Sequence, residues 1–254
     1  MTKIIEIILK YIPDGIFVFL YNIFLSKSKG IVIRKHFPAW LIIGLRIGDV
    51  SLQSPTPNFF NVHYQKFVEN FDKFFYIENG DTVLDVGACI GDTTVYMGLK
   101  AGHNGKVIAI EVDSVNCHYL RLNLLKYIEN YEVHEIAAYK RKTELMLFTH
   151  HTPTGHALLP DKSRKSSVSV NADTIDNIVN GRHVDFAKID VQGSEIDVLK
   201  GADYLLRTTP KIMVETHYKY TERKTYPQVI KILESYGYTV TFIFDNGIVY
   251  GRRY

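Results

Sequence analysis

Residues 82–94, TVLDVGACIGDTT, constrain this chain more than any other stretch. A short aliphatic run from Val83 to Val86 breaks into a turn of small residues, Gly87, Ala88, Cys89, Ile90 and Gly91. A helical pattern opens immediately, at Asp92 and Thr93. Strand, tight turn and helix start together make a nucleotide cradle. The small residues admit a ligand to the backbone, and the first N–H groups of a helix have no partner within it. A domain that begins this way is expected to continue as alternating strands and helices.

The downstream pattern follows that expectation. The spacing predicts a helix over 92–100 ended by Gly102, a strand over 106–111 and a helix over 114–128 with Ser114 as N-cap. Strands are expected over 131–137 and 144–148, then a polar loop over 150–167 broken at Pro153, Gly155 and Pro160. Alternating residues 167–170 lead into a helix over 173–179, a buried strand over 185–190 and a helix opening over 195–200. A strand over 211–215, a helix over 226–236 with Gly237 behind it, and a hairpin of 238–244 and 248–251 complete the pattern. The fold expected is α/β, a mostly parallel sheet with helices on both faces and an antiparallel C-terminal hairpin.

Upstream, residues 59–76 read as a helix, with Phe60, Tyr64, Phe67, Val68, Phe71 and Phe74 at near-helical spacing. Residues 31–60 carry Pro38, Gly44 and Gly48, which suit short strands or irregular cover better than one long helix. The turn material SPTPN at 54–58 marks a boundary between an N-terminal segment, 1–58, and the α/β domain, 59–254.

Residues 4–25 are strongly apolar but are interrupted by Glu6, Lys10, Pro13 and Asp14. The uninterrupted run from 16 to 25 is about half of what a bilayer span needs. Two roles stay open. One is a helix packing on the domain, or on a second subunit in a homo-oligomer. The other is peripheral membrane contact through residues 1–25, with Lys27, Lys29, Arg34 and Lys35 near the headgroups. Composition favours packing. The net charge of +3, without a long basic run, argues against nucleic acid as a partner. Cys89 and Cys117 show neither metal-ligand nor disulfide spacing, which points to a reducing, cytoplasmic setting, membrane-associated if the anchor reading holds.

In an open parallel sheet, ligands bind outside the carboxyl ends of the strands. Acids stand at four of these predicted ends: Asp85, Glu111, Asp190 and Glu215. Glu111 ends the second strand of the domain and is placed to take both hydroxyls of a ribose. NAD, FAD and S-adenosylmethionine share that ribose. The turn separates them, because it reads D-x-G-x-x-x-G rather than G-x-G-x-x-G. A carboxylate at Asp85 beside the ligand would repel a pyrophosphate and suit a cationic sulfonium. S-adenosylmethionine is therefore the expected cofactor. An NAD-dependent oxidoreductase and a non-catalytic cofactor-fold interaction protein are the competing readings.

The segments DVGACIGDTT, AIEVDS, SVSVNADTIDNIV, FAKIDVQGSEIDVLKGA and KIMVETH resemble the FkbM family of S-adenosylmethionine-dependent methyltransferases, over roughly residues 60–251. The resemblance implies the class I methyltransferase (Rossmann-like) fold. It also implies O-methylation of a hydroxyl on a small-molecule, sugar, glycan or natural-product acceptor. Asp85, Gly87, Ala88 and Gly91 match the family's cofactor loop, with Asp92 and Thr93 behind them. Glu111 matches the ribose acid, followed by Val112. Asp190, Gly193 and Glu195 match a second signature, and Glu215 and His217 the motif after the fifth strand. Gln192 departs from the pattern, since the family commonly carries Glu there. His217 and Asp190 are the candidate catalytic bases, with a structural role for His217 equally compatible with its position. Glu195, Glu215 and His156 are candidate acceptor-binding residues. The loop histidines His150, His151 and His156 form no metal-ligand motif.

Overall fold

The computed structural model describes residues 31–36, 39–44, 50–55, 74, 76–149, 155–158, 166–216, 224–243 and 247–254. Its internal contacts divide the chain into two units, Met1–Lys73 and Phe74–Tyr254. In the first, β1 (Ile31–His36), β2 (Ala39–Gly44) and β3 (Val50–Ser54) form an antiparallel sheet in that order. The glycine- and proline-broken stretch thus folds as short strands. The apolar segment 1–25 lies outside the described residues, as does nearly all of the helix read over 59–76. No helix among the described residues is long and apolar enough to cross a membrane.

The second unit is built on β4 (Thr82–Val86), β5 (Lys106–Glu111), β6 (Tyr131–Glu135), β10 (Phe186–Ile189), β11 (Lys211–Glu215), β12 (Thr239–Ile243) and β13 (Ile248–Arg252). They form one seven-stranded sheet in the order β12-β13-β11-β10-β4-β5-β6. The five strands from β11 to β6 run parallel, and β13 is antiparallel to both β11 and β12. Strand order reverses at β4, which has β5 on one side and β10 on the other, so the carboxyl ends of these three strands frame the crevice.

The helices are α1 (Asp92–Ala101), α2 (Ser114–Tyr127), α3 (Ile175–Val179), α4 (Glu195–Leu199), α5 (Asp203–Thr208) and α6 (Tyr226–Ser235). Between β6 and β10 a second, smaller sheet intervenes. It is formed by β7 (Ala137–Ala138), β8 (Thr143–Thr149) and β9 (Ser166–Asp173) in the order β7-β9-β8.

The central strands are mostly hydrophobic because both faces are covered. All four residues of β10 are buried, and Ala187 and Ile189 share one core with Leu84, Val86, Ile108, Ile110, Ile212 and Val214 of the other strands and Val198, Leu206, Val229 and Leu233 from the helices. Each such side chain contributes roughly 1.5–3 kcal/mol by leaving water.

Local chemistry moved several expected boundaries. The strand expected over 131–137 ends at Glu135, and Ala137–Ala138 pair instead with β9 in the second sheet. The cap of α2 is Asp113, whose carboxylate accepts the Asn116 N–H at 2.9 Å, so the helix begins rather than caps at Ser114. Asp173 ends β9 instead of opening a helix, and Thr174 caps α3. The short helix α5 had no periodic signal long enough to read.

Candidate active site

The turn after β4 is held from two sides, by β5 and by α2. Gly87 and Ala88 donate their N–H groups to Ile110 O, at 2.9 and 3.1 Å. Asn123 of α2 donates to Ile90 O at 2.8 Å. Gly87 sits at φ +81, Cys89 at +50 and Gly91 at +89, a run of left-handed residues that folds the chain sharply into α1. A Cβ on Gly87 would stand 1.9 Å from Asp190 O. The glycine is thus demanded by the end of β10 passing behind it, whatever occupies the crevice in front.

Asp85 lies within β4, fully buried. Its Oδ2 accepts the hydroxyls of Thr93 (3.1 Å) and Thr94 (2.7 Å), and its Oδ1 accepts Lys188 Nζ at 3.0 Å. The carboxylate therefore ties β4 to α1 and β10 and does not line the crevice. Burial disfavours the Lys188 ammonium, but the carboxylates of Asp85, Asp190 and Glu215 outweigh it and hold the lysine charged above its usual range.

The crevice is a cleft of about 660 Å³, including its open mouth. Glu111 stands in its wall, 7% exposed. Its Oε2 accepts Cys89 N–H at 2.8 Å, and its Oε1 accepts the N–H groups of Val112 (2.9 Å) and Asp113 (2.8 Å). Burial pushes this carboxyl up to about 7 against those three donors. Burial likewise raises Asp92, in the first turn of α1, to about 6. At one end the cleft is walled by Asp190, Val191 and Gln192, which follow β10. Gln192 is left-handed at φ +51, and its amide donates to Asp190 Oδ1 at 3.1 Å. At the other end the wall is Ile136, Ala137 and Ala138, Leu147 of β8, and His156, Ala157 and Leu158.

Of the residues singled out by sequence, Gly87, Glu111, Val112, His156 and Asp190 line this cleft. Ala88, Gly91, Asp92 and Thr93 belong to the turn and helix start, Asp85 lies in β4, and none of them, nor Glu195 or Glu215, is in the cleft wall. Glu195 is fully buried, and its Oε1 accepts Gly193 N–H at 2.6 Å, which holds the turn after Asp190. His217, His150 and His151 fall outside the described residues. Sequence reasoning missed Lys188, although it stands inside the quoted KIDVQG segment. Beyond His156, it also missed the apolar wall formed by 136–138, 147, 157 and 158, which is assembled from three separate stretches.

An open parallel sheet with its crevice at the β4 switch point and an acid ending β5 is the class I methyltransferase fold. A family model described as the methyltransferase FkbM domain matches residues 85–240. The chain belongs to that family of S-adenosylmethionine-dependent methyltransferases, and S-adenosylmethionine is its cofactor. None of the curated proteins compared matches it. Among solved structures, an S-adenosylmethionine-dependent methyltransferase from Aquifex aeolicus is 22% identical, with 72% of this chain and 87% of that one covered, at a TM-score of 0.44. Aeropyrum pernix fibrillarin with bound S-adenosylmethionine is 14% identical, with 87% and 98% covered, at 0.48. A precorrin-6y C5,15-methyltransferase from Geobacter metallireducens is 14% identical, with 75% and 88% covered, at 0.47.

The donor set suits this cofactor. Two carboxylates, Glu111 and Asp190, line the cleft, and no Lys or Arg does among the described residues. Such a site favours a cation and disfavours a pyrophosphate. The negative character comes from Asp190, joined by Glu111 above about pH 7, and not from Asp85, whose charge Lys188 neutralises.

Proposed function

We propose that this methyltransferase transfers its methyl group to a hydroxyl oxygen of a sugar, glycan or natural-product acceptor, with Asp190 as the base and Glu111 as the ribose-binding acid. The observation that carries this is the placement of Asp190. It lies at the opposite end of the cleft from the apolar wall, with Gln192 on one carboxylate oxygen and Lys188 Nζ 3.9 Å from the other. A hydroxyl is a poor nucleophile until its proton has somewhere to go. The bound cofactor supplies an electrophilic methyl on a positively charged sulfur. Asp190 would accept the hydroxyl proton as the acceptor oxygen takes the methyl, the sulfur departing as a neutral thioether. Gln192 fixes the carboxylate's direction, and Lys188 places a positive charge beside it.

The test is transfer of labelled methyl from S-adenosylmethionine to a panel of hydroxylated sugars, glycans and phenolic natural products, with the product mapped by NMR. An O-methyl product, lost by about a hundredfold or more in Asp190→Asn while cofactor binding persists, supports the reading. An N- or C-methyl product, or full activity in Asp190→Asn, overturns it.

A further inference from the structure

Segment 155–158 contributes to the wall of the cleft. Ala157 exchanges both backbone hydrogen bonds with Phe148 of β8, at 2.8 and 3.1 Å. This places Ala157, 4% exposed, beside Leu147, 1% exposed, and makes both part of the cleft wall. His156 also lines the cleft, its side chain only 14% exposed. Its Nε2 lies 4.0 Å from Asp113 Oδ2. Asp113 is bound to the ribose acid itself, through its N–H to Glu111 Oε1. Glu111, Asp113 and His156 are therefore one continuous cluster, on the side of the cleft away from Asp190.

Asp190 follows β10 and Ile136 follows β6, on opposite sides of the β5 end that carries Glu111. A ribose held on Glu111 has two directions open to it. The reactive end must point towards Asp190 and Gln192, where the acceptor is deprotonated. The base must then enter the slot formed by Ile136, Ala137, Ala157 and Leu158. That slot is apolar, as the faces of a purine require, and His156 is the aromatic side chain at it. An imidazole there can lie against the purine ring or donate to a ring nitrogen.

We propose that His156 is a purine-contacting residue of the cofactor site, so that segment 155–158 recognises the methyl donor and not the acceptor. This rests on the cofactor reading of the cleft. It predicts that the loop between β8 and β9 contributes to cofactor affinity before any acceptor binds.

The experiment is calorimetric titration of the full chain and of His156→Ala with S-adenosylhomocysteine and 5′-methylthioadenosine. Both ligands carry the adenosine, and only the first carries the amino-acid tail. The expected result is a loss of about tenfold or more in affinity, equal for the two ligands, since the interaction lost is with the base. His156→Phe, which keeps an aromatic ring, should recover most of it if the contact is a stacking one. An unchanged melting temperature in His156→Ala separates loss of contact from loss of fold. Affinities within twofold of wild type for both ligands overturn the proposal and leave the cofactor assignment standing. A wild-type chain that binds neither ligand overturns both.

Discussion

Lys188 Nζ lies 3.0 Å from Asp85 Oδ1, and the two residues face each other in register on β10 and β4. Neither reaches water appreciably, at 3% and 0% side-chain exposure. The Asp85 carboxylate also takes the Thr93 and Thr94 hydroxyls, so one buried charge pair joins the two strands that frame the cleft to the helix that begins it. Such a pair matters less for its attraction than for what is left when half of it is removed.

Lys188→Met should therefore lower the unfolding free energy by about 3–5 kcal/mol, because Asp85 would remain buried without its counter-charge. Adding Asp85→Asn should recover part of the loss, giving clear non-additivity in urea denaturation. A single Lys188→Met variant within about 1 kcal/mol of wild type would mean that the pair is not a closed electrostatic unit.

Gly87 and Gly80 offer a controlled comparison, since both have positive φ, +81 and +100. An added Cβ meets nothing within 4 Å at Gly80 but falls 1.9 Å from the Asp190 carbonyl oxygen at Gly87. Gly80→Ala should cost only backbone strain, about 1 kcal/mol. Gly87→Ala must also push β10 and β4 apart at their carboxyl ends, so it should cost at least about 2 kcal/mol more. It should also weaken S-adenosylhomocysteine binding, which Gly80→Ala should leave alone. Equal costs would show that Asp190 can move aside freely.

What the sequence disclosed follows the range of the interactions. Gly87, Glu111 and the strand–turn–helix around them were legible because their signals are local, a few residues of turn chemistry and one strand end. The partner of Asp85 was not, because Lys188 is 103 residues away and meets it only through strand register. Asp85 was read as a ligand-facing charge for that reason. The apolar wall was hidden for a similar one. Its pieces at 136–138, 147 and 156–158 come together only once β7 and β8 have paired with β9. The cap of α2 was misread by one residue because Asp113 and Ser114 are both good N-caps and nothing local decides between them.

Glu111 should make cofactor binding depend on pH in a defined direction. Its carboxyl is pushed up to about 7 by burial in the free protein. Ribose hydroxyls donate to the charged form, so binding must release the proton where one is held. The affinity for 5′-methylthioadenosine, which lacks the amino-acid tail, should rise with pH up to about 7 and then level off. Well below that point it should change by close to tenfold per pH unit. Glu111→Gln should bind more weakly and lose most of this dependence. A wild-type affinity that is flat from pH 5.5 to 8, as roughly spaced calorimetric points, would remove Glu111 as the ribose acid.

The same group should set a slope in folding stability with the opposite sense to most surface acids. Unfolded, Glu111 loses its proton near 4.5, whereas folded it keeps the proton up to about 7. Between these values the folded state binds more protons, so stability falls as pH rises through the window. Above it the deprotonated carboxylate lowers stability by on the order of 3 kcal/mol relative to its contribution below pH 4.5. Glu111→Gln carries no proton to lose. It also disturbs the hydrogen bonds from Cys89, Val112 and Asp113, but that cost does not vary with pH. The quantity to read is therefore the difference between variant and wild type in urea unfolding across the window. It should shift in favour of the variant by roughly 3 kcal/mol between pH 4.5 and 8. A shift in favour of the wild type would mean that the three backbone donors outweigh burial and that Glu111 is charged throughout.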